Sequence, residues 1–358
     1  MSAQDSVDGF RNDVVSDEPN RVRILTQHLF DGQHRRYETR RNGYAEIDLA
    51  MGSDAADDAA VFDFRGSGQL VASSDYIRGT GFSMYEFGLI SDYDLGYYLV
   101  SANVSDIAAM GARQFAFLSV VRYPKSMTDR KFIEIFDGIR DACANFDTAN
   151  VGGDIGTAEE VILSGTALGL CQPGAALTRR GARVGDRVAI SKPTGVAGAG
   201  RDFFRLTEGS SELLDEDTVK RLVETWSRPQ PEVLLGKDLG ENQLATSCQD
   251  SSDGLKATLE QIAAASNVAL HIYEEKIPLD ASILKVAPYL GRDPVEMAFT
   301  DSVDFALVFT ANNESIPLIR DLGHEIYEIG EVKSGLGACL VSSEGEVKPI
   351  PGETWRHA

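Results

Sequence analysis

One amphipathic helix, predicted over residues 128–146, lies between two strand-forming runs and constrains the fold more than any other segment. Thr128 can cap its first turn, and its apolar side chains recur at helical spacing. Those side chains are Phe132, Ile135, Phe136, Ile139 and Ala142. The flanking runs, 115–123 and 161–171, are predicted strands. A helix that connects two strands packs its apolar stripe on their sheet, so this segment predicts helices layered on a sheet.

The segments that precede this helix extend the same pattern. A short helix is predicted at 21–30, two strands at 59–64 and 69–74 are joined by a turn at 65–68, and another helix begins near Asp92. The order strand, strand, helix, strand, helix, strand predicts an α+β domain with helices on one face of the sheet.

The second half of the chain alternates in a similar way after a junction at Pro173-Gly174. Strands are predicted at 188–191, 268–273 and 305–309, with helices from Gly195, at 255–265 and at 315–322, and short strands from His324 onward. The predicted domains are a flexible leader at 1–20, an N-terminal domain at 21–172 and a C-terminal α/β domain at 173–358.

Composition and charge narrow the class of protein. The 358 residues exceed one typical domain, and 55 acidic against 34 basic residues argue against a nucleic-acid-binding surface. The four cysteines form no CxxC pair, which argues against a zinc site or a disulfide framework. Residues 1–19 are polar and acidic and lack the basic segment and apolar core of a signal peptide, and no apolar run approaches the ~20 residues of a membrane span. A cytoplasmic protein without a membrane partner is predicted.

Six aspartates stand beside small residues at the predicted ends of strands or helices, where their side chains can converge. They are Asp58, Asp75, Asp106, Asp154, Asp250 and Asp253. Asp106, within the stretch from Asn103 to Ala112, is predicted at a helix start between two helix-like runs. Mg²⁺ with nucleotide phosphates uses a few carboxylates plus water, and neighbouring glycines let phosphates approach the backbone. Each motif alone is equally a common turn or cap sequence, so the hypothesis of a metal site depends on their joint occurrence.

The motifs occur in an order that resembles the thiamine-monophosphate kinase branch of the aminoimidazole-ribonucleotide-synthetase superfamily, from about Gly52 to the C-terminus. The matching blocks are Asp57-Asp58-Ala59-Ala60-Val61, Ser73-Ser74-Asp75, Asn103 to Ala112, Gly152-Gly153-Asp154, Leu177-Thr178-Arg179 and Asp250 to Leu255. The resemblance implies a two-domain fold of that superfamily, with dimerisation through the N-terminal sheets and ATP near the dimer cleft.

The resemblance also implies roles for individual residues. The Mg²⁺ ligands would be Asp58, Ser74, Asp75, Asp106, Asp154, Asp250 and Asp253. ATP contacts would come from Ser73, Gly153, Asp154, Arg179 and Ser252, and the residues nearest the chemistry would be Asp106, Asp154 and Asp253. Such a set suits phosphoryl transfer, because metal ions neutralise the transferred group and align donor with acceptor.

The acceptor side departs from the family pattern. The expected histidine after the Ser-Thr-Asp block is absent from Gly79-Thr80-Gly81-Phe82, and the expected Gly-Gly-Glu-Asp-Tyr-Glu-Leu is replaced by residues 301–307, Asp-Ser-Val-Asp-Phe-Ala-Leu. The family's glutamate is thus Val303, while Asp304 remains and is otherwise interpreted as a residue that caps or orients a strand. The predicted substrate contacts are Phe82, Val303, Asp304 and the terminal aromatic Trp355.

Three hypotheses about function follow. The first is an ATP- and Mg²⁺-dependent phosphotransferase that resembles thiamine-monophosphate kinase and acts on a small acceptor. The second keeps the superfamily but has ATP activate an amide-type oxygen for cyclisation, dehydration or amine attack. The third is a nucleotide-binding protein without catalysis, against which the retention of all six aspartates counts.

Overall fold

The computed structural model describes residues 13–41, 43–55, 58–77 and 81–352, with all side chains in those ranges except His28 and His34. Two compact units are present. The first comprises Met1–Ile107 and Arg113–Gly174, and the second comprises Ala108–Ala112 and Ala175–Ala358. Both units combine sheets with helices, which confirms the predicted α+β class.

The first unit contains two sheets. A three-stranded antiparallel sheet has the order β1-β2-β3 and consists of β1 (Arg40–Arg41), β2 (Ala45–Met51) and β3 (Val61–Gly66). A four-stranded sheet has the order β4-β7-β5-β6, in which β5 and β6 are parallel and the other pairs antiparallel. Its strands are β4 (Gln69–Ile77), β5 (Arg113–Tyr123), β6 (Asn150–Thr157) and β7 (Ile162–Cys171).

The helices of the described part of this unit vary from one turn to eighteen residues. They are α1 (Glu18–Ile24), which continues into a π-helical turn (Leu25–Leu29), α2 (Gln33–Arg36), α3 (Ser83–Glu86), α4 (Asp92–Ala109) and α5 (Asp129–Asn145). The α5 helix confirms the strongest prediction, since the Thr128 hydroxyl accepts a hydrogen bond from the Lys131 backbone N–H at 3.4 Å. Close contact between α4 and α5 requires Gly96 and Gly138, because a Cβ on either would collide with a carbonyl oxygen of the other helix.

One local prediction was wrong. Asp106 does not start a helix: α4 runs unbroken from Asp92 to Ala109, because its buried face continues through Leu99, Val104 and Ile107 and no residue interrupts it before Gly111. The strands predicted at 59–64 and 69–74 are present as β3 and β4, but they do not pair with each other, since β3 pairs with β2 and β4 pairs with β7 in the other sheet. Sequence patterns place strands but do not choose their partners.

The second unit has one seven-stranded sheet of order β14-β13-β10-β12-β8-β11-β9. Its strands are β8 (Arg187–Ile190), β9 (Ser247–Ser251), β10 (Ala269–Tyr273), β11 (Ala306–Ala311), β12 (Tyr327–Lys333), β13 (Gly337–Val341) and β14 (Val347–Pro349). Its helices are α6 (Val196–Leu206), α7 (Glu216–Ser227), α8 (Val233–Glu241), α9 (Leu255–Ser266), α10 (Ala281–Leu290), α11 (Pro294–Phe299) and α12 (Ser315–Asp321), with a 3-10 turn at Glu274–Lys276.

Alternate residues of the central strands of this sheet enter two different apolar clusters. Val308 of β11 packs with Leu259 of α9, whereas its neighbour Phe309 packs in the cluster that contains Leu239 of α8 and Ile316 of α12. Because successive side chains of a strand point to opposite faces, helices cover both faces of the sheet. No helix in the described part of the chain is long and apolar enough to cross a membrane.

Candidate active site

A cavity of about 510 Å³ in the first unit brings together three of the predicted site residues, Asp58, Gly153 and Asp154. The same cavity has an apolar wall that includes Val22, Leu25, Phe30, Phe62 and Phe136. Ligand pockets of this size combine an apolar lining with a few polar groups that fix orientation. The cavity therefore suits a small molecule with an apolar part, whose polar part binds a cation that the carboxylates of Asp58 and Asp154 could hold.

Gly153 is required by the backbone at this place. Its φ is +143°, and a Cβ would collide with the carbonyl oxygen of Ser119 on the neighbouring strand β5. Only glycine fits such a conformation without strain. The Gly-Gly-Asp motif thus lets β6 lie tightly against β5 and leaves the cavity wall beside Asp154 formed by backbone.

Asp154 pairs with an arginine that the sequence analysis did not identify. Nη2 of Arg122 donates to Asp154 Oδ2 at 2.5 Å, and about a third of the Arg122 side chain is exposed. The register of two neighbouring strands brings this pair together, because parallel pairing of β5 and β6 aligns Val120 with Asp154 and Arg122 with Gly156. The sequence alone does not show that these two strands are neighbours.

A second group of predicted residues lies on β4 and near the C-terminal end of α4. The Ser73 hydroxyl donates to a carboxylate oxygen of Asp106, and the backbone N–H of Asp75 donates to Asn103 Oδ1 at 3.0 Å. Ser74 points to the opposite face of the strand, where its hydroxyl donates to the Gly165 carbonyl at 2.8 Å. Strand alternation therefore separates Ser74 from the two residues on either side of it.

The four-stranded sheet sets the distance between these two groups. Register pairs Asp75 with Gly165, Gly165 with Ser119, and Ser119 with Gly153, so one row crosses the sheet from β4 to β6. Three strand spacings of about 4.8 Å amount to roughly 14 Å. Asp75 and Asp154 consequently lie at opposite edges of the sheet, and within one chain they do not surround one ion.

Three predicted residues of the second unit, Asp250, Ser252 and Asp253, lie at the end of β9. Asp250 is buried in the strand, and Ser252 and Asp253 follow in the turn that leads into α9. Gly254 has a φ of +92° in that turn, and a Cβ there would lie 2.5 Å from the Thr300 carbonyl oxygen. Arg179 is exposed, and the preceding residue Thr178 accepts a hydrogen bond from the Cys248 N–H, which places it beside the start of β9.

The altered acceptor-side loop is fixed next to this turn. The backbone N–H groups of Asp304 and Phe305 both donate to the Ser251 carbonyl oxygen, at 3.2 and 3.1 Å. The Asp304 carboxylate accepts from the Gly195 and Ala197 N–H groups, at 2.6 and 3.1 Å. Asp304 therefore caps the helix α6, and burial raises its pKa against these stabilising hydrogen bonds.

The other predicted substrate contacts differ in their surroundings. Val303, between Ser302 and Asp304, is half-buried, and Phe82 packs edge to face against Tyr98 of α4 with 5.1 Å between ring centroids. Asp304 also borders a cavity of about 370 Å³ together with Lys192, whose pKa is lowered by burial. Trp355 lies outside the described residues.

The donor chemistry of the first cavity fits a hard cation. Its ionisable wall residues Asp58 and Asp154 offer carboxylate oxygens, which Mg²⁺ prefers, and the thiols of Cys143 and Cys248 are buried elsewhere. Among residues 13–41, 43–55, 58–77 and 81–352, no three His, Cys, Asp or Glu side chains form a group that could hold a metal ion.

Comparison with known proteins identifies the family. Residues 56–171 match the N-terminal domain of AIR synthase related proteins, and residues 183–338 match the C-terminal domain. A thiamine-monophosphate kinase of Methanopyrus kandleri is 33% identical over 70% of this chain and 76% of its own length. The chain belongs to the thiamine-monophosphate kinase family. The predicted family, its two-domain fold and the predicted enzyme class, an ATP-dependent phosphotransferase, are thereby confirmed.

Solved structures agree with this assignment. The thiamine-monophosphate kinase of Stenotrophomonas maltophilia superposes with a TM-score of 0.72 at 28% identity, covering 91% of this chain and 95% of that one. A structure described as AaThiL complexed with AMPPCP and TMP superposes with a TM-score of 0.69 over 95% of this chain and 97% of that one, and at 22% identity it supports the fold alone.

Proposed function

We propose that this protein transfers the γ-phosphoryl group of ATP to the phosphate of thiamine monophosphate, with thiamine diphosphate and ADP as products. The observation that carries the proposal is the identity of 33% to a thiamine-monophosphate kinase over 76% of that protein's length. The cavity that contains Asp58, Gly153 and Asp154 supports it, because it joins an apolar wall to carboxylates in the way that a nucleotide with bound cations requires.

The residues act by binding and alignment. In the transfer, an oxygen of the acceptor phosphate forms a bond to the γ-phosphorus while the bond to the β,γ-bridging oxygen breaks, and that oxygen leaves with ADP. The apolar side chains Val22, Leu25 and Phe136 would hold the base, and the phosphates would bind beside the backbone of Gly152 and Gly153, which lines the same cavity. A phosphate acceptor is already ionised at neutral pH, so the reaction needs positioning more than a side-chain base.

Mg²⁺ is part of this proposal. Asp58 and Asp154 would hold it at the first cavity, and Asp75 with Asp106 would provide carboxylates at the other edge of the sheet. When bound, the metal would neutralise charge that develops on the transferred group. The separation of the two pairs favours more than one ion per chain, since one or two carboxylates plus phosphate oxygens and water suffice for each Mg²⁺.

We also propose that two copies of the chain associate through the exposed part of one face of the four-stranded sheet, where the three-stranded sheet does not cover it. Leu70 and Tyr76 on β4 and Ile162 on β7 share the face that points away from Asp106, and between 46% and 64% of each side chain is exposed. Apolar side chains grouped on one sheet face are typical of an interaction site. A monomeric mass in multi-angle light scattering would contradict this association.

The function is tested by incubating the protein with ATP, Mg²⁺ and thiamine monophosphate and separating the products by chromatography. We expect thiamine diphosphate and ADP in equal amounts, and loss of both when EDTA removes the metal. A protein that binds ATP but forms no thiamine diphosphate would refute thiamine monophosphate as the acceptor.

The altered loop at residues 301–307 favours one alternative within the same fold. Val303 stands where the family pattern has a glutamate, so the group that this position recognises has lost its carboxylate partner. In the alternative, ATP phosphorylates an amide-type oxygen, and phosphate then leaves as the bond to the attacking group forms. Inorganic phosphate equal to the ADP formed, with none kept in the organic product, would distinguish this reaction from a kinase.

A further inference from the structure

Arg122, to which neither the motifs nor the family resemblance gives a role, holds the carboxylate of Asp154. The distance from its Nη2 to Asp154 Oδ2 is 2.5 Å, and both side chains reach solvent, with 34% and 62% exposed. A solvent-accessible pair of this kind is weak, because water screens it and both chains lose freedom. The carboxylate can therefore exchange the arginine for a stronger cation at small cost.

Gly156 provides the space that Arg122 occupies. A Cβ on Gly156 would lie 2.7 Å from Arg122 Nη1 and 3.4 Å from its Cζ, so the guanidinium lies across the glycine. Gly156 is aligned with Arg122 in the β5–β6 register and is absent from the glycines with positive φ. The strand conformation therefore does not require a glycine at 156, whereas the arginine does.

We propose that Arg122 is a positioning cation of the nucleotide site. It neutralises Asp154 before Mg²⁺ arrives, and it binds a phosphate oxygen of ATP once the metal has taken that carboxylate. This inference rests on the proposed function, because it needs ATP and Mg²⁺ at the cavity that Asp154 lines.

Two physical facts support the exchange. A divalent ion attracts a carboxylate more strongly than a guanidinium does at equal distance, so Mg²⁺ displaces the arginine from Asp154. The freed guanidinium remains beside the cavity and presents a planar fork of donors that matches phosphate oxygens. The cation thus stays in the site and changes partner.

The exchange predicts opposite effects on metal and nucleotide binding. In Arg122→Met, Asp154 has lost the arginine that competes for it, so we expect Mn²⁺ alone, measured by electron paramagnetic resonance, to bind about two- to five-fold more tightly. AMPPCP with Mg²⁺, measured by calorimetry, should bind about ten-fold more weakly, because one charge-assisted hydrogen bond to phosphate is lost. A purely structural arginine would not produce changes of opposite sign.

Two further variants complete the experiment. Arg113→Met is the matched control, since Arg113 lies on the same strand, is 30% exposed and pairs with Asp147 at 2.9 Å away from the cavity. It should change neither affinity. Gly156→Ala moves the guanidinium without altering its charge, and should strengthen Mn²⁺ binding as Arg122→Met does.

The outcomes separate this inference from the proposed function. A wild-type protein that forms thiamine diphosphate, together with an Arg122→Met variant that shows unchanged affinities or two changes of the same sign, would overturn the role of Arg122 alone. A wild-type protein that binds no AMPPCP would overturn both. Opposite changes in Arg122→Met, none in Arg113→Met and tighter Mn²⁺ binding in Gly156→Ala would support the exchange, whereas unchanged Mn²⁺ binding in Gly156→Ala would contradict it.

Discussion

Replacing Asp154 by asparagine is expected to lower the rate of phosphoryl transfer at saturating substrate by about 100-fold. The substitution keeps the size of the side chain and removes the negative charge beside Gly153, on the wall of the cavity that contains Asp58. Loss of one carboxylate from a catalytic cation site removes several kcal/mol of charge stabilisation, and roughly 3 kcal/mol corresponds to the stated factor. The measurement is kcat as a function of Mg²⁺ concentration.

The matched control for this prediction is Asp63→Asn, on the exposed surface of β3 and outside the lining of the cavity. It should leave kcat within a factor of two. Both variants replace exposed carboxylates, so their free energies of unfolding should stay within about 0.5 kcal/mol of the wild-type value. An Asp154→Asn variant that retains half of the wild-type kcat would remove this residue from the proposed metal site.

The elements of the fold were largely predictable, because apolar periodicity is a local property of the chain. Thr128 caps α5 as its sequence indicates, and the helices predicted from Gly195 and Leu255 occur as α6, with Gly195 at its N-cap, and α9. The partners of the strands were not predictable. Only a short turn joins β3 to β4, yet the two strands enter different sheets, because β3 pairs with β2 and β4 pairs with β7.

The arrangement of the predicted site residues also depends on strand partners that the sequence does not give. The motifs identified the aspartates, but the order β4-β7-β5-β6 decides that Asp75 and Asp154 lie at opposite edges of one sheet. Asp106 was misplaced, because Gly111 with its φ of +67° ends the α4 helix later than the acidic residue suggested. Arg122 was not predicted as a site residue, because its partner Asp154 is 32 positions away in the sequence and lies on a different strand.

Replacing the buried Arg21 by methionine is expected to destabilise the protein and the segment that forms the N-terminal wall of the cavity. Its side chain is fully buried, with Nε 3.3 Å from Asp129 Oδ1 and Cζ 4.3 Å from the centroid of the Tyr123 ring. Arg21→Met removes the cation, so that among the described residues the buried Asp129 carboxylate keeps the hydrogen bonds from Ser16. Breaking a buried ion pair in this way should lower the free energy of unfolding by about 3–5 kcal/mol.

Urea denaturation measures this change, and two variants make it specific. Arg23→Met, on the exposed side of the same helix, should alter the free energy of unfolding by less than about 0.5 kcal/mol. The double variant Arg21→Met with Asp129→Asn should be less destabilised than the sum of the single variants, because the unpaired charge is then absent. If the changes in the free energy of unfolding of the two single variants simply add in the double variant, the Arg21–Asp129 ion pair does not stabilise this segment.

The same substitution should weaken nucleotide binding, since Arg21 belongs to the helix that brings Val22 and Leu25 to the cavity. The Arg21 guanidinium donates to the Met127 carbonyl oxygen and pairs with Asp129, so it ties this helix to the start of α5. AMPPCP affinity should therefore fall in Arg21→Met at temperatures where the protein is still folded, whereas Arg23→Met should bind as the wild type does. A destabilised Arg21→Met variant with unchanged affinity would mean that the apolar wall formed by this helix does not contact the nucleotide.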